Sequence, residues 1–182
     1  MPDAAALDDL DAAVAPHRAA WPELRWTSPQ AWHVTLAFLG DVDEAVTDEL
    51  TRRLENAARR HPRMELAAAG AGAFPASSRA RVLWTGISGD QDALGGLAAS
   101  VAAGARRAGA PSPDEGRRFQ PHITLARCRV PADVRLLVAA LMDYAGTSWT
   151  ADRIHLIRSH LEATSPRYET VGSWPLLRQR RP

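Results

Sequence analysis

The sequence predicts an α+β protein built from two similar lobes, in which antiparallel β-sheets carry helices on their outer sides. Three observations predict this fold. Segments with strand alternation are interleaved with segments of helical spacing, no linker separates two domains, and one unusual strand pattern occurs twice. The lobes are expected to face each other across an active-site cleft, and all 182 residues to form a single domain.

The first half of the chain is predicted to contain two helices and three strands. Apolar residues three or four apart mark the helices, and polar–apolar alternation marks the strands. Pro16 is expected to end the first helix, and Asp41 or Asp43 to cap the second. Residues 63–74 begin with strand alternation but are expected to continue as a Gly/Ala loop. In order, the elements are a helix at residues 4–15, strands at 24–27 and 32–39, a helix at 44–60 and a strand at 81–88.

The second half of the chain repeats this order of strands and helices. Small residues with leucines at helical spacing predict a long helix, and a stretch rich in Gly, Pro and charge predicts the loop that follows. Pro131 is expected to be the first residue of the next helix. In order, the elements are a helix at residues 90–108, a loop at 108–119, a strand at 119–130, a helix at 131–144, and strands at 149–161 and 167–176.

Composition narrows the possible functions. The chain has 22 Lys and Arg against 21 Asp and Glu, so bulk charge does not attract nucleic acid, and any such contact is expected to be local. Every one of these cations is Arg. The single Cys128 excludes an internal disulfide and a cysteine-rich zinc site. No secretory signal or membrane-length apolar run is present, so we expect a cytoplasmic protein that does not bind membranes.

The most informative feature is the pattern His-x-Thr-Leu-Ala, which begins at His33 and again at His122. Residues two apart on a strand share a face, so His33 and Thr35 project together, as do His122 and Thr124. The apolar residues between them are expected to be buried. One such strand would indicate only a structural histidine, but its repetition favours a functional pair, with one copy on each lobe.

Two imidazoles and two hydroxyls in one place form an acid–base site. Because imidazole titrates near pH 6.5, one histidine can be neutral while the other is protonated. Such a pair can deprotonate an attacking water and protonate a departing oxygen, while the hydroxyls bind phosphoryl oxygens. Two histidines without a nearby carboxylate are a poor zinc site, so we predict phosphoester chemistry without a metal or other cofactor.

The stretches HVTLAFLG and PHITLAR resemble the two signatures of the 2H phosphoesterase superfamily, and in particular its bacterial RNA 2′,3′-cyclic phosphodiesterase family, also called 2′-5′ RNA ligases. The resemblance extends from about residue 24 to 176 and includes LRWT, RVLW and PRYETVGSWPL. It implies the 2H phosphoesterase fold. It also implies hydrolysis of an RNA-terminal 2′,3′-cyclic phosphate to a 2′-phosphate, with reversible 2′-5′ ligation as a second reaction.

The same resemblance implies a role for each candidate residue. His122 is the implied general base that activates water, and His33 the implied general acid that protonates the 3′-oxygen. The residues implied to bind the substrate phosphate are Thr35, Thr124 and Arg127. Phe38 and Trp84 are candidates for stacking on a base, although most Trp residues fill protein cores.

The sequence departs from the family at its beginning, where members open with an apolar strand. Here residues 1–4 lead directly into the first helix, so either the true start lies upstream or the first strand is missing. A missing strand would leave backbone groups of its neighbour unpaired. We therefore expect a monomer of reduced stability, with a strand-exchanged dimer as the alternative.

Two other functions fit the same residues. One is a cyclic phosphodiesterase acting on a small nucleotide, of the ADP-ribose cyclic phosphate type. The other is a non-catalytic module that binds RNA or a nucleotide. The salt dependence of binding separates a long RNA from a small nucleotide, and turnover separates the enzyme from the module.

Overall fold

The computed structural model describes residues 1–111, 113, 116–160 and 167–178. Within these residues it contains four α-helices and seven β-strands. The helices are α1 (Ala4–Ala20), α2 (Glu44–Ala58), α3 (Gln91–Ala108) and α4 (Arg135–Ala140). The strands are β1 (Arg25–Trp26), β2 (Met64–Phe74), β3 (Ala80–Gly89), β4 (His122–Ala132), β5 (Ala145–Ala151), β6 (Arg153–His160) and β7 (Arg167–Pro175).

Contacts divide the chain into two compact units. The first consists of Met1–Thr35, Glu65–Gln91 and Gln120–Ala151, and the second of the described residues of Leu36–Met64, Asp92–Phe119 and Asp152–Pro182. The first unit contains a five-stranded sheet in the order β1-β4-β3-β2-β5, with antiparallel β1–β4, β4–β3 and β3–β2 pairs. The second contains the antiparallel β6–β7 pair together with α2 and α3. The predicted α+β class is confirmed.

Helix α1 packs on the first unit through one apolar stripe. Leu10 and Val14 on this stripe are buried, and the Asp3 side chain caps the helix by accepting a hydrogen bond from the Ala6 N–H. The three residues before α1 form no strand. The prediction that Pro16 ends α1 is wrong, because the helix continues to Ala20. The φ angle of proline is compatible with a helix, so Pro16 removes one backbone hydrogen bond but does not end α1.

The Asp9 carboxylate links α1 to the start of β5. Its Oδ2 accepts a hydrogen bond of 2.9 Å from the Tyr144 hydroxyl and one of 2.8 Å from the Thr147 N–H. Burial, together with this carboxylate, raises the pKa of Tyr144 above its usual range, so the phenol stays a donor at every physiological pH.

The predicted Gly/Ala loop is wrong, because these residues belong to the continuous strand β2. Its small residues pair with β3 on both sides of an irregularity between Ala69 and Gly72. Within this irregularity, Gly70 has a φ of +64°, which favours glycine. The buried Thr85 hydroxyl donates a 2.7 Å hydrogen bond to the Gly70 carbonyl and holds the bulged backbone in place.

Two further strand predictions need correction. The first-motif segment, expected as a continuous strand, forms only a single antiparallel bridge, from Val34 to Ile123. Pro131 lies in β4 rather than at a helix start, and α4 begins only at Arg135. Proline is tolerated there because β1, the neighbour of β4 on one side, pairs no further than residue 127 and leaves that edge open.

The second unit is built from the helices that the sequence predicts most clearly. Asp43, one of the two proposed caps, accepts a hydrogen bond from the Ala45 N–H at the start of α2. At the other end of α2, the His61 ring lies 2.8 Å from the Ser100 hydroxyl of α3. Among the described residues, no helix is long and apolar enough to cross a membrane. The cytoplasmic location and the oligomeric state stay predictions.

We predict that replacing Asp9 by Ala lowers the free energy of unfolding by about 1–3 kcal/mol, because two hydrogen bonds to a charged acceptor are lost. The neighbouring Asp8→Ala is the matched control, since Asp8 is an exposed residue of the same helix. Urea unfolding monitored by circular dichroism measures both. Equal midpoints for the two variants would contradict the structural role of Asp9.

Candidate active site

The two His-x-Thr segments lie side by side. Val34, at the centre of the first copy, pairs with Ile123, at the centre of the second, in an antiparallel bridge. The sequence predicts one copy on each lobe. In the structure, the first compact unit contains both His–Thr pairs, because this bridge places the first segment directly against β4. The four predicted residues are therefore brought together.

The register of this bridge determines which side chains are neighbours. With Val34 opposite Ile123, the antiparallel direction places His33 across from Thr124 and Thr35 across from His122. Because Ile123 is fully buried on one face of the sheet, alternation directs the His and Thr side chains to the other face. Each imidazole is thus adjacent to the hydroxyl of the other copy, and the two imidazoles are diagonal to each other.

A hydrogen bond of the same kind orients each imidazole. His33 Nδ1 lies 2.7 Å from the carbonyl of Ala31, and His122 Nδ1 lies 2.7 Å from the carbonyl of Gln120. A carbonyl only accepts hydrogen bonds, so Nδ1 is the protonated nitrogen in the neutral form of both rings. Nε2 is then the nitrogen that takes up or releases a proton.

The two histidines differ in their surroundings. His33 is partly buried, and this desolvation lowers its pKa below the 6.5 of an unperturbed imidazole. The hydrogen bond to the Ala31 carbonyl opposes the shift, whereas the positive charges of the amino terminus, Arg127 and His122 add to it. The neutral form of His33 is therefore favoured in the unliganded protein.

A bulge in β4 turns Arg127 towards this face. Along β3, Leu83 pairs with Ala126 and the next residue, Trp84, pairs with Thr124, so Leu125 is an extra residue in β4. The burial pattern of β4 agrees with this bulge. The consecutive residues Leu125 and Ala126 are both buried, and Arg127 is exposed. A regular strand would place Arg127 on the face of Ile123. With the bulge it shares the face of His122 and Thr124.

Aromatic rings from β2 and β3 line the His122 side of the site. Phe74 contacts His122 edge-on with ring centroids 5.1 Å apart, and Trp84 is 6.1 Å from His122 and 5.3 Å from Phe74. The ring of Trp84 lies over Gly72, because a Cβ at that position would be only 2.2 Å from it. These rings hold the imidazole in place, and stacking of a base on Trp84 stays a prediction.

Two further aromatic residues, Trp32 and Phe38, lie near the first motif in the sequence. Phe38 belongs to the second unit and is 55% exposed, so its stacking role also stays a prediction. Trp32 is 1% exposed and fills the core of the first unit. The sequence alone did not identify Phe74, because Phe74 is the last residue of the stretch predicted to be a Gly/Ala loop. In the residues described, no three His, Cys, Asp or Glu side chains come together as metal ligands.

Known proteins that are similar to this chain identify its family. The 2′-5′ RNA ligase superfamily is matched by residues 8–163. The chain belongs to this superfamily. An Aquifex aeolicus protein named RNA 2′,3′-cyclic phosphodiesterase is 33% identical over 156 residues, which are 84% of this chain and 81% of the relative. The family resemblance read from the two motifs is therefore confirmed.

Solved structures of E. coli LigT share the fold. The apo form superimposes with a TM-score of 0.76 at 25% identity and covers 97% of this chain and 93% of LigT. LigT complexed with 3′-AMP superimposes with a TM-score of 0.71, with the same identity and the same coverage of both chains. The fold predicted from the resemblance is confirmed.

We predict that replacing Gly72 by Ala destabilises the protein by about 1–3 kcal/mol, because the new methyl group overlaps the Trp84 ring. Gly95→Ala is the control, since Gly95 lies in α3 and a Cβ at this position would meet no atom within 4 Å. It should be neutral or stabilising by up to about 1 kcal/mol. Thermal unfolding measures stability, and near-ultraviolet circular dichroism reports the displaced ring. An unchanged Gly72→Ala spectrum would contradict the close contact.

Proposed function

We propose that this protein hydrolyses the 2′,3′-cyclic phosphate at an RNA end to a 2′-phosphate, using His33 and His122 as an acid–base pair without a metal ion. The bridge between Val34 and Ile123 is the observation that carries the proposal, because it assembles both motifs on one face. Membership of the superfamily and the names of curated relatives establish the broader class, a phosphodiesterase.

The choice of substrate rests on the relatives and on the chemistry of the site. The Aquifex relative is named for RNA 2′,3′-cyclic phosphate, and LigT was solved with 3′-AMP bound. A cyclic phosphate presents one phosphorus, one leaving oxygen and two non-bridging oxygens. The site offers a matching set, with two imidazoles for the proton transfers and neutral hydroxyls and Arg127 for the oxygens.

In the proposed reaction, His122 Nε2 removes a proton from water as the water oxygen attacks phosphorus. The bond from phosphorus to the 3′-oxygen breaks, and His33 Nε2 delivers a proton to that oxygen. Thr35, Thr124 and Arg127 stabilise the charge on the non-bridging oxygens during the transfer. If the 5′-hydroxyl of a second RNA replaces water, the same steps form a 2′-5′ linkage.

A small cyclic nucleotide is the second candidate substrate. The formal net charge of +1 favours it, because it provides no general attraction for a long polyanion. The chemistry at phosphorus is the same for both substrates. They differ only in whether the protein contacts RNA beyond the terminal nucleotide.

The test of the proposed function is incubation with an oligonucleotide ending in a 2′,3′-cyclic phosphate, in excess EDTA. We expect a 2′-phosphate product. His33→Ala and His122→Ala should each lower turnover at least about 100-fold, because each removes one proton transfer. His17→Ala, which removes an imidazole from the last turn of α1, is the control and should keep its activity.

Several outcomes would refute this mechanism. Loss of activity in EDTA that added metal restores would refute metal independence. A 3′-phosphate product would mean that the other bond breaks. Near-normal turnover by either histidine variant would remove that residue from the proposed acid–base pair.

The pH dependence tests which histidine is the acid. If His33 is the acid, it must be protonated in the free enzyme, so kcat/KM should fall as pH rises through its pKa, which burial holds below 6.5. The bound phosphate anion raises this pKa, so kcat should fall only at higher pH. Initial rates between about pH 4.5 and 8 measure both. As the base, His122 must be neutral, which adds a limb that rises with pH. A kcat/KM that does not fall anywhere in this range would contradict the role of His33 as the acid.

A substrate with sulfur in place of the leaving 3′-oxygen provides the control for this assignment. A thiolate leaves without a proton, so it does not need the acid. His33→Ala should therefore act on this substrate nearly as well as the wild type, whereas His122→Ala should not. The reverse pattern would exchange the two roles.

A further inference from the structure

A second arginine stands beside Arg127. In the antiparallel pairing of β1 with β4, Arg25 lies directly opposite Arg127, and Trp26 lies opposite Ala126. Directly opposed residues of an antiparallel pair project from the same face of the sheet. Both arginine side chains are exposed. Arg25 therefore shares the face of the His and Thr side chains.

The bulge in β4 is what makes this pair part of the site. Without it, Arg127 and the opposing Arg25 would both turn to the buried face. With it, the Arg127 charge is close enough to act on the His33 ring. The two guanidinium groups lie farther along β4 than the imidazoles. Arg127 is three residues beyond Thr124, and a strand rises about 3.3 Å per residue.

Guanidinium groups bind phosphate through paired hydrogen bonds, so two of them side by side suit a phosphodiester. The reacting phosphate already has the hydroxyls of Thr35 and Thr124 beside it. Arg127 also acts on this phosphate, so the opposing Arg25 is the guanidinium suited to the next phosphate along an RNA strand.

We propose that Arg25, which lies opposite Arg127, binds the phosphodiester that joins the terminal nucleotide to the one before it, so that the protein prefers an RNA end to a cyclic mononucleotide. This inference rests on the proposed function and identifies which of its two substrate classes is favoured. It also reconciles a net charge of +1 with an RNA substrate, because the positive charge is concentrated where a second phosphate would lie.

The test compares kcat/KM for a 2′,3′-cyclic mononucleotide with that for a dinucleotide carrying the same terminal cyclic phosphate. The ratio of the dinucleotide to the mononucleotide value should fall about tenfold in Arg25→Gln, because one charge-assisted phosphate contact is lost. The slope of log kcat/KM against log salt for the dinucleotide should become shallower by about one unit. Arg25→Lys keeps the charge and should retain most of the salt slope.

Arg107→Gln is the matched control, since it removes the same charge from an exposed position of α3. It should leave both the ratio and the salt slope as in the wild type. A ratio that stays at the wild-type value in Arg25→Gln would overturn the inference, whether kcat/KM falls equally on both substrates or on neither. If the wild type hydrolyses neither substrate, the proposed function itself fails, so the two failures are distinguishable.

Discussion

Pairing of β4 with neighbours on both of its edges is the constraint on which the site depends. Strand β3 pairs along one edge, and β1 and Val34 pair along the other. Backbone hydrogen bonding fixes the register, and the register fixes which side chains share a face. A slip of one residue would turn His122 and Thr124 into the core and bring Ile123 to the surface. The hydrophobic cost of exposing that face protects the arrangement of the proposed catalytic residues.

The extra residue in β4 determines that a positive charge lies on the same face as the His and Thr side chains. A bulge interrupts the ladder and leaves one residue unpaired, which is unfavourable by itself. Here it buries Leu125 and Ala126 in succession and returns Arg127 to the polar face. The sheet thereby combines neutral hydroxyls, two imidazoles and a guanidinium on one surface. Opposite Arg127, the position of Arg25 depends on the same bulge.

Burial and charge act together on the histidine pair. Desolvation lowers the pKa of His33, whereas His122 lies against the rings of Phe74 and Trp84. Because burial and nearby positive charges disfavour protonation, His33 holds a proton weakly in the unliganded protein. In the proposed mechanism, a bound phosphate anion would favour protonation, so substrate binding and protonation of the acid would be coupled.

The sequence by itself determined the α+β class, the apolar stripes of the helices, Asp43 as one of two possible caps of α2, and the four residues of the repeated motif, because these depend on local residue patterns. Only the tertiary structure decided that both motif copies pair directly, that Arg127 crosses to their face, and that the Gly/Ala stretch is a strand carrying Phe74. Pro131 was misjudged for the same reason, because its effect depends on hydrogen bonds to neighbouring strands, and local sequence does not record which neighbours are present.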